Sequence, residues 1–317
     1  MRVCIHVSLV SIVVLVFGVA VFAADEPPSS AQRVWAVEQL AKKLADNGKL
    51  VEAVDLLRQE FIKRQGTAGA EEALEELMDL LLQRRRFDGA IAAFEELVPH
   101  VTDTRQRAHI HYSFMRNVAR RLLVPANCRP QHAEVWEFLK RELERFVADF
   151  SDLHLPAERL AKVYGMLGSL NKDTGNYEAA IEFYRRSLAT SSDSAELLAQ
   201  HCGRALNLAN CLYFLDRCDE AEAVLLDLME RTPNSDVSRA AEIYLGDLYH
   251  RCLGDEVAAE FWYDCAGEEK AVQGVFNLSP DSLEKLRQKA VTRKETLLTR
   301  GVDGAGGKDE GTGRFGK

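Results

Sequence analysis

The stretch YGMLGSLNKDTGNYEAAIEFYRRSL, residues 164–188, decides the fold of this chain. Its first part is an amphipathic segment that carries Leu167-Gly168, and its second part carries Ala180 at helical spacing behind a turn at Gly175. The small residues let two helices approach closely, and the glycine suits a tight connection between them. The stretch therefore predicts two antiparallel helices joined by a short turn.

The same pattern recurs elsewhere along the chain. A turn followed by a second helix with a small residue is found again at 48–54, 87–91, 218–223 and 255–259. A leucine and a small residue mark the preceding helix at Leu40-Ala41, Leu208-Ala209 and Leu245-Gly246, whereas the bulkier Leu77-Met78 precedes the pair at 87–91. This repetition predicts an array of helix pairs, with a single helical bundle as the alternative.

The pattern resembles the tetratricopeptide repeat, a helix pair with Leu-Gly in its first helix and Ala and an aromatic residue in its second. Gly168, Gly175, Tyr177, Ala180 and Tyr184 carry the resemblance best. The resemblance implies an all-α fold, a right-handed superhelical α-solenoid of antiparallel helix pairs. Such pairs bury their apolar faces jointly, because one pair cannot do so alone.

The register of the resemblance gives a predicted organisation for most of the chain. Repeats are predicted within 34–272, at 34–67, 71–104, 161–194, 202–235 and 239–272, with a degenerate pair at 105–155. A capping helix at 282–299 would cover the last apolar face, and the glycine-rich residues 301–317 are expected to be disordered.

The N-terminal segment is expected to lie outside this fold. Arg2 precedes an apolar run from Val7 to Phe22, and the residues at the −3 and −1 positions, Val21 and Ala23, are small enough to suit cleavage after Ala23. This pattern is typical of a secretory signal peptide at 1–23, followed by a linker at 24–33. We therefore expect an exported protein, periplasmic or secreted. The alternative is that the run is kept as a membrane anchor, since it is about long enough to span a bilayer.

Charge and motifs exclude several function classes. The chain has 40 basic and 49 acidic side chains, a formal net charge of -9, which disfavours a nucleic-acid partner. It contains no HExxH, GxSxG or complete P-loop motif, so it is not expected to be an enzyme or to bind a cofactor. His109 and His111 fall on opposite faces of a helix, and even with His132 they suggest no metal site.

Six cysteines remain after the predicted cleavage. In a helical core such residues often serve as small buried apolar groups, and an oxidising compartment also permits disulfides. The resemblance places Cys218 at the start of a second helix and Cys252 near the end of the next first helix. These two are therefore expected to be close enough to bridge.

The resemblance also implies a concave groove, lined by the first helices, that binds a peptide or a protein. Its N-terminal half is expected to be acidic and to suit a basic segment, with Glu38, Glu72, Glu75 and Asp79 beside Lys42. Its C-terminal half is expected to present Lys172, Asn210, Tyr213, Phe214, Asp247, His250 and Arg251. The alternative is that Phe214 belongs to the core and the charges form a solvated face.

Together these features predict an exported, non-catalytic protein–protein interaction scaffold. A different reading is a membrane-anchored accessory or assembly factor for envelope or secretion machinery. The sequence does not identify the partner.

Overall fold

The computed structural model describes residues 30–122, 133–153, 155–189, 195–268, 274–275 and 278–303 of the 317-residue chain. Every secondary-structure element of these residues is a helix, so the predicted all-α class is confirmed. The chain divides into two compact units, Met1–Ile110 and His111–Lys317, here called the first and the second unit.

Thirteen α-helices are found in the part of the chain that the structure describes. They are α1 (Ser30–Asp46), α2 (Leu50–Lys63), α3 (Ala68–Gln83), α4 (Phe87–Leu97), α5 (Thr104–Leu122), α6 (Ala133–Phe150), α7 (Ala157–Asp173), α8 (Tyr177–Leu188), α9 (Ala195–Phe214), α10 (Cys218–Arg231), α11 (Asp236–Leu248), α12 (Glu256–Gly267) and α13 (Pro280–Asp303). A 3-10 turn, Val98–His100, follows α4, and a π-helical turn, Tyr249–Leu253, continues α11.

Within each unit, helices pack in chain order and in two layers. In the first unit each helix from α1 to α4 packs on the next, and in the second unit the same holds from α6 to α13. In the first unit α1 also touches α3, and in the second unit α7, α9, α11 and α13 touch one another in turn. The odd-numbered, first helices of the pairs therefore form one layer, as in an α-solenoid.

The turn inside a helix pair uses one recurring backbone conformation. A residue with positive φ closes the first helix at Gly48 (φ 80), Gly175 (φ 79) and Gly254 (φ 67). Arg85 (φ 56) and Asp216 (φ 55) take the same place in two other pairs. Glycine adopts this left-handed conformation without a Cβ clash, whereas other residues adopt it at a cost.

A glycine in the first helix allows the tyrosine of the second helix to lie against its backbone. A Cβ at Gly168 would be 2.8 Å from the ring of Tyr184, and one at Gly246 would be 2.4 Å from the ring of Tyr263. Both rings are buried, so neither can move aside cheaply. The Leu-Gly positions of the sequence pattern are therefore contact points between paired helices.

The core lies between the two helix layers of each unit. Leu57, Leu74 and Phe94 are buried in the first unit, and Phe114 and Phe146 are buried in the second. Truncating side chains of this kind to alanine costs about 2–5 kcal/mol, because the remaining cavity is only partly refilled.

The helices correct three predicted boundaries. Residues 30–33 belong to α1, so the predicted linker at 24–33 is wrong at its C-terminal end. The predicted capping helix at 282–299 runs from Pro280 to Asp303, and the predicted disorder at 301–317 is wrong for residues 301–303. Proline is favoured in the first turn of a helix because its missing N–H is unpaired there, which explains the earlier start.

Several predictions fall on residues outside the described part. These are the signal peptide at 1–23, residues 24–29 of the linker and residues 304–317 of the tail. Among the described residues, no helix is both long enough and apolar enough to cross a membrane.

Candidate functional site

The acidic residues predicted in the first unit lie together. Glu38 of α1 and the α3 residues Glu72, Glu75, Glu76 and Asp79 form one cluster, here called the acidic face. The residues on α3 are spaced three and four apart, which places them on one helix face.

The acidic face is only partly neutralised. Lys42 Nζ lies 3.2 Å from Glu76 Oε2, and His109 Nε2 lies 3.6 Å from Glu75 Oε1. Burial, followed by the charges of Glu76 and Glu72, raises the pKa of Glu38 above its ordinary 4.5 despite the opposing Lys42. Burial likewise raises the pKa of Glu76. The face therefore holds more negative charge than its surroundings favour.

The residues predicted in the C-terminal half are engaged with one another and with α13. Asn210 is hydrogen-bonded to Tyr244, and Tyr213 to Arg251. The Tyr263 hydroxyl donates to Asp247 Oδ1 at 2.8 Å. Asp247 also pairs with Arg293 of α13, whose Nε lies 3.3 Å from the same oxygen. A cavity of about 190 Å³ lies between these groups, lined among others by Asn210, Tyr213, Phe214, Tyr244, Asp247, Lys289 and Arg293.

Three further predicted residues lie apart from that small cavity or at its edge. Lys172 Nζ of α7 donates to Asn207 Oδ1 of α9 at 2.7 Å, whereas Asp247 lies on α11. His250 is half-buried in the π-helical turn. Phe214 is 39% exposed and stacks on Tyr177 with ring centroids 4.8 Å apart. The C-terminal set therefore does not form one site.

Cys218 and Cys252 lie together, as the resemblance implies. A disulfide joins them, with their Cα atoms 6.2 Å apart and a separation of 34 positions in sequence. It ties the start of α10 to the π-helical turn that ends α11. Two other thiols, Cys202 and Cys211, are buried in the core of the second unit.

A second cavity, larger than the one beside Asp247, was not predicted from the sequence. It has a volume of about 580 Å³ and lies in the second unit between the first helices α5, α7 and α9, with part of its wall from α6. We call it the large cavity. Its polar lining is Arg116, Arg120, Lys162, Ser169, Asp173, Gln200, Arg204 and Asn207, and its apolar lining includes Tyr112, Leu122, Trp136, Leu139, Met166 and Leu170.

One arginine of the large cavity is held by its neighbours. Arg204 Nη2 donates to Gln200 Oε1 at 3.0 Å, one turn earlier on α9. The side chain crosses the backbone of Gly165, where an added Cβ would be 2.6 Å from Arg204 Nε. Burial lowers the pKa of Arg204, although an arginine stays protonated at neutral pH. Gly165 thus makes the space that this guanidinium occupies.

The two histidines considered as metal ligands contact different partners. His109 is exposed and lies near Glu75, whereas His111 is buried, with its Nε2 3.2 Å from Glu142 Oε2. The rings of Phe146 and Phe150 pack edge-on against His111. Among the residues with described positions, no three His, Cys, Asp or Glu side chains are grouped as a metal site would require.

Comparison with known families gives two matches. Residues 173–243 match a model described as tetratricopeptide repeat, and residues 23–115 match a second model with the same description. These ranges cover parts of both units. No protein with curated information matches the chain significantly in sequence.

Solved structures with similar folds are also found. RapI, in its apo form, is 10% identical, with 85% of this chain and 72% of that chain covered and a TM-score of 0.54. YrrB, described as a TPR protein with an unusual peptide-binding site, is 13% identical, with 70% and 91% covered and a TM-score of 0.46. BtubC from P. vanneervenii is 16% identical, with 73% and 96% covered and a TM-score of 0.46.

The family matches agree with the helix pairs, their left-handed turns and the glycine–tyrosine contacts. Such repeats stack into surfaces on which proteins assemble. The chain belongs to the tetratricopeptide repeat proteins and is a scaffold for protein–protein interaction.

Proposed function

We propose that this chain is an exported, non-catalytic scaffold that holds a protein partner by a peptide segment in the groove of its second unit. The observation that carries the proposal is the large cavity of about 580 Å³ between α5, α7 and α9. Its volume is typical of ligand sites, and first helices supply most of its lining.

Export is supported by two independent features. Residues 1–23 have the pattern of a cleaved signal peptide, with cleavage near Ala23. The disulfide between Cys218 and Cys252 suits an oxidising compartment, because such bonds are rare where thiols are kept reduced. We therefore propose a periplasmic or secreted location.

A non-catalytic role is supported by the state of the buried thiols. Burial raises the pKa of Cys202 to about 11 and that of Cys211 to about 12. At neutral pH both are thiols rather than thiolates, so neither suits a nucleophile. The sequence also offers no complete motif for acyl or phosphoryl transfer.

The alternative is a membrane-anchored accessory or assembly factor, which would keep the apolar run at 7–22. N-terminal sequencing of the mature protein separates the two. A chain that begins at Ala24 supports export, and a chain that still begins at Met1 in the membrane fraction supports the anchored form.

Site-specific photo-crosslinking tests the groove itself. A photo-reactive residue replaces Met166, which lines the large cavity, and as a control replaces Leu226, which is 42% exposed on the second helix α10. In the native compartment we expect a discrete crosslinked partner from position 166 and none from 226. Equal crosslinking at both positions, or crosslinking at 226 alone, would contradict the proposal.

A further inference from the structure

The large cavity combines unbalanced positive charge with an apolar wall. Arg116, Arg120, Lys162 and Arg204 line it, against the single carboxylate of Asp173. Lys162 is paired with Glu158, one turn earlier on α7. The cavity therefore carries a net positive charge, although the whole chain is acidic.

Three of these cations have no carboxylate partner among the described residues. In the part of the chain with described positions, no carboxylate lies within ion-pair distance of Arg116, Arg120 or Arg204. Arg116 contacts the ring of Tyr112, and Arg204 hydrogen-bonds to Gln200. Arg204 is half-buried, and the cost of burying its charge would be offset by an opposite charge, whereas Arg116 and Arg120 are exposed at the cavity wall.

The arrangement of the arginines suits one ligand. Arg116 and Arg120 are four residues apart on α5 and so lie on one helix face, while Arg204 reaches into the cavity from α9. Guanidinium groups bind carboxylates by paired, charge-assisted hydrogen bonds. Three of them around one cavity can hold more than one carboxylate.

The apolar wall defines the rest of the ligand. Leu139 and Leu170 are nearly fully buried at its base, and Met166 and Trp136 are partly exposed beside them. A ligand that fills the cavity must therefore offer an aliphatic or aromatic side chain between its carboxylates. A methionine beside an aromatic ring adapts to side chains of different shape.

We infer that the large cavity recognises an acidic peptide segment, with Asp or Glu side chains flanking a large apolar residue, through Arg116, Arg120 and Arg204. This inference rests on the proposed function, since it names the chemistry of the segment that the groove holds. A nucleic acid fits less well, because it needs an extended basic surface rather than one concave site on a chain of net charge -9.

The structure supplies a charge-neutral way to disturb the site. Gly165→Ala adds a Cβ where Arg204 Nε lies, at 2.6 Å, and so displaces the guanidinium without changing any charge. The displaced group is the far part of a flexible side chain, and alanine favours a helix over glycine, so the fold should be retained. Arg204→Gln removes the charge directly.

The test is selection of binders from a random peptide library on the mature, disulfide-bonded protein. Selected peptides are then measured by fluorescence anisotropy against Arg204→Gln, Gly165→Ala and the double variant Arg116→Gln/Arg120→Gln. Arg231→Gln, an exposed arginine on α10, is the matched control. Thermal melts establish that each variant is folded.

We expect the selected peptides to carry at least two carboxylates around an apolar residue. Each cavity variant should weaken their binding about tenfold or more, and Arg231→Gln should leave it unchanged. If the selected peptides are neutral or basic but bind more weakly to Gly165→Ala, the ligand is not acidic and the inference is overturned. The proposed binding of a peptide in the large cavity would still hold. If no peptide is enriched, or if no cavity variant affects binding, the proposed function itself fails. Tighter binding of single-stranded DNA than of any selected peptide, lost in the same variants, would also overturn the inference.

Discussion

The acidic face of the first unit and the large cavity of the second are built from the same kind of helix and carry opposite charge. Glu72, Glu75 and Asp79 lie along one side of the first helix α3. Arg116 and Arg120 lie along one side of the first helix α5 and face the large cavity. The repeat fold sets which positions are presented, and a few side chains set what can bind there.

The two regions also differ in how their charges are balanced. In the acidic face, burial and then neighbouring carboxylates raise the pKa values of Glu38 and Glu76, although Lys42 lies beside them. In the large cavity, Arg204 lies over Gly165 and is held by Gln200. The carboxylates of the acidic face are therefore easier to protonate than free ones, whereas the large cavity presents cations that can bind an anion.

The largest difference in stability should come from the disulfide, since the described residues of the first unit contain no cysteine. We expect Cys218→Ser/Cys252→Ser to lower the free energy of unfolding of the second unit by about 4 kcal/mol, because the closed loop no longer restrains the unfolded chain. Fluorine NMR of protein labelled with fluorotryptophan can follow each unit in urea, with Trp35 reporting the first and Trp136 and Trp262 the second.

A reducing agent supplies the control for that experiment. Reduction should lower the free energy of unfolding of the second unit of the unmodified protein by a similar amount. It should leave the free energy of unfolding of the double variant unchanged. If the unfolding transition reported by Trp35 moved to lower urea concentration by the same amount, the two units would not unfold separately.

A smaller effect is expected from the buried pair in the second unit. Glu142→Gln removes the carboxylate that lies 3.2 Å from His111, and both side chains are at most 5% exposed. Loss of one partner of a buried pair should lower the free energy of unfolding by about 3 kcal/mol. Glu144→Gln on the exposed side of α6 is the matched control and should change it little. Equal stability of the two variants would show that the pair contributes nothing.

Acid should affect the two units with opposite sign. Burial raises the pKa of Glu142, but hydrogen bonds from His111 and Arg141 outweigh it, and the net pKa lies below 4.5. The contribution of Glu142 to stability is therefore complete above pH 4.5. It is lost as the pH falls through the pKa of Glu142 in the folded state, which lies below 4.5. Glu38 and Glu76 have raised pKa values, so their contribution is full below 4.5 and is lost as pH rises through the folded-state pKa.

Urea unfolding at pH values from 7 down to 3, read at the same tryptophans, checks this. The first unit should gain stability as pH falls towards 4.5, and the second should lose stability below that value. In Glu38→Gln the gain in the first unit should be smaller. If both units lost stability throughout the range from pH 7 to pH 3, the carboxylates of the acidic face would not destabilise the first unit by repulsion.

The smallest effect is expected at the turns. Arg85 has φ 56, in a place that glycine occupies in other pairs. Arg85→Gly should stabilise the first unit by about 0.5 kcal/mol, since the relieved strain of about 1–2 kcal/mol exceeds the added freedom of the unfolded chain. Arg86→Gly, at an ordinary φ of -92, should destabilise it instead. Thermal melts compare the two variants. A lower melting temperature for both would show that Arg85 is not strained in its positive-φ conformation.

The helix pairs could be predicted because their contacts use conspicuous residues. Gly168 and Tyr184 mark one contact, and Gly246 and Tyr263 mark another, so the pattern of the sequence and the packing coincide. The acidic face followed from the same register. The positive φ of Arg85 could not be predicted, because the local sequence does not distinguish an arginine in this conformation from one with an ordinary φ.

The large cavity could not be predicted from the sequence for two reasons. Arg116 and Arg120 lie in the pair at 105–155, where the pattern of the other pairs is degenerate. The contact of Arg204 with Gly165 is made between α9 and α7, and the sequence of neither helix indicates it. A stripe of arginines on α5 was the available signal, but in isolation it resembles any solvated helix face.

The central claim is that the second unit, and not the first, binds an acidic segment. Hydrogen exchange of the mature protein, with and without an acidic peptide selected on it, tests this most directly. We predict slower exchange in α5, α7 and α9, no change in α1 to α4, and no protection in Gly165→Ala. Protection of α1 or α3, or protection of the second unit that survives Gly165→Ala unchanged, would contradict the account.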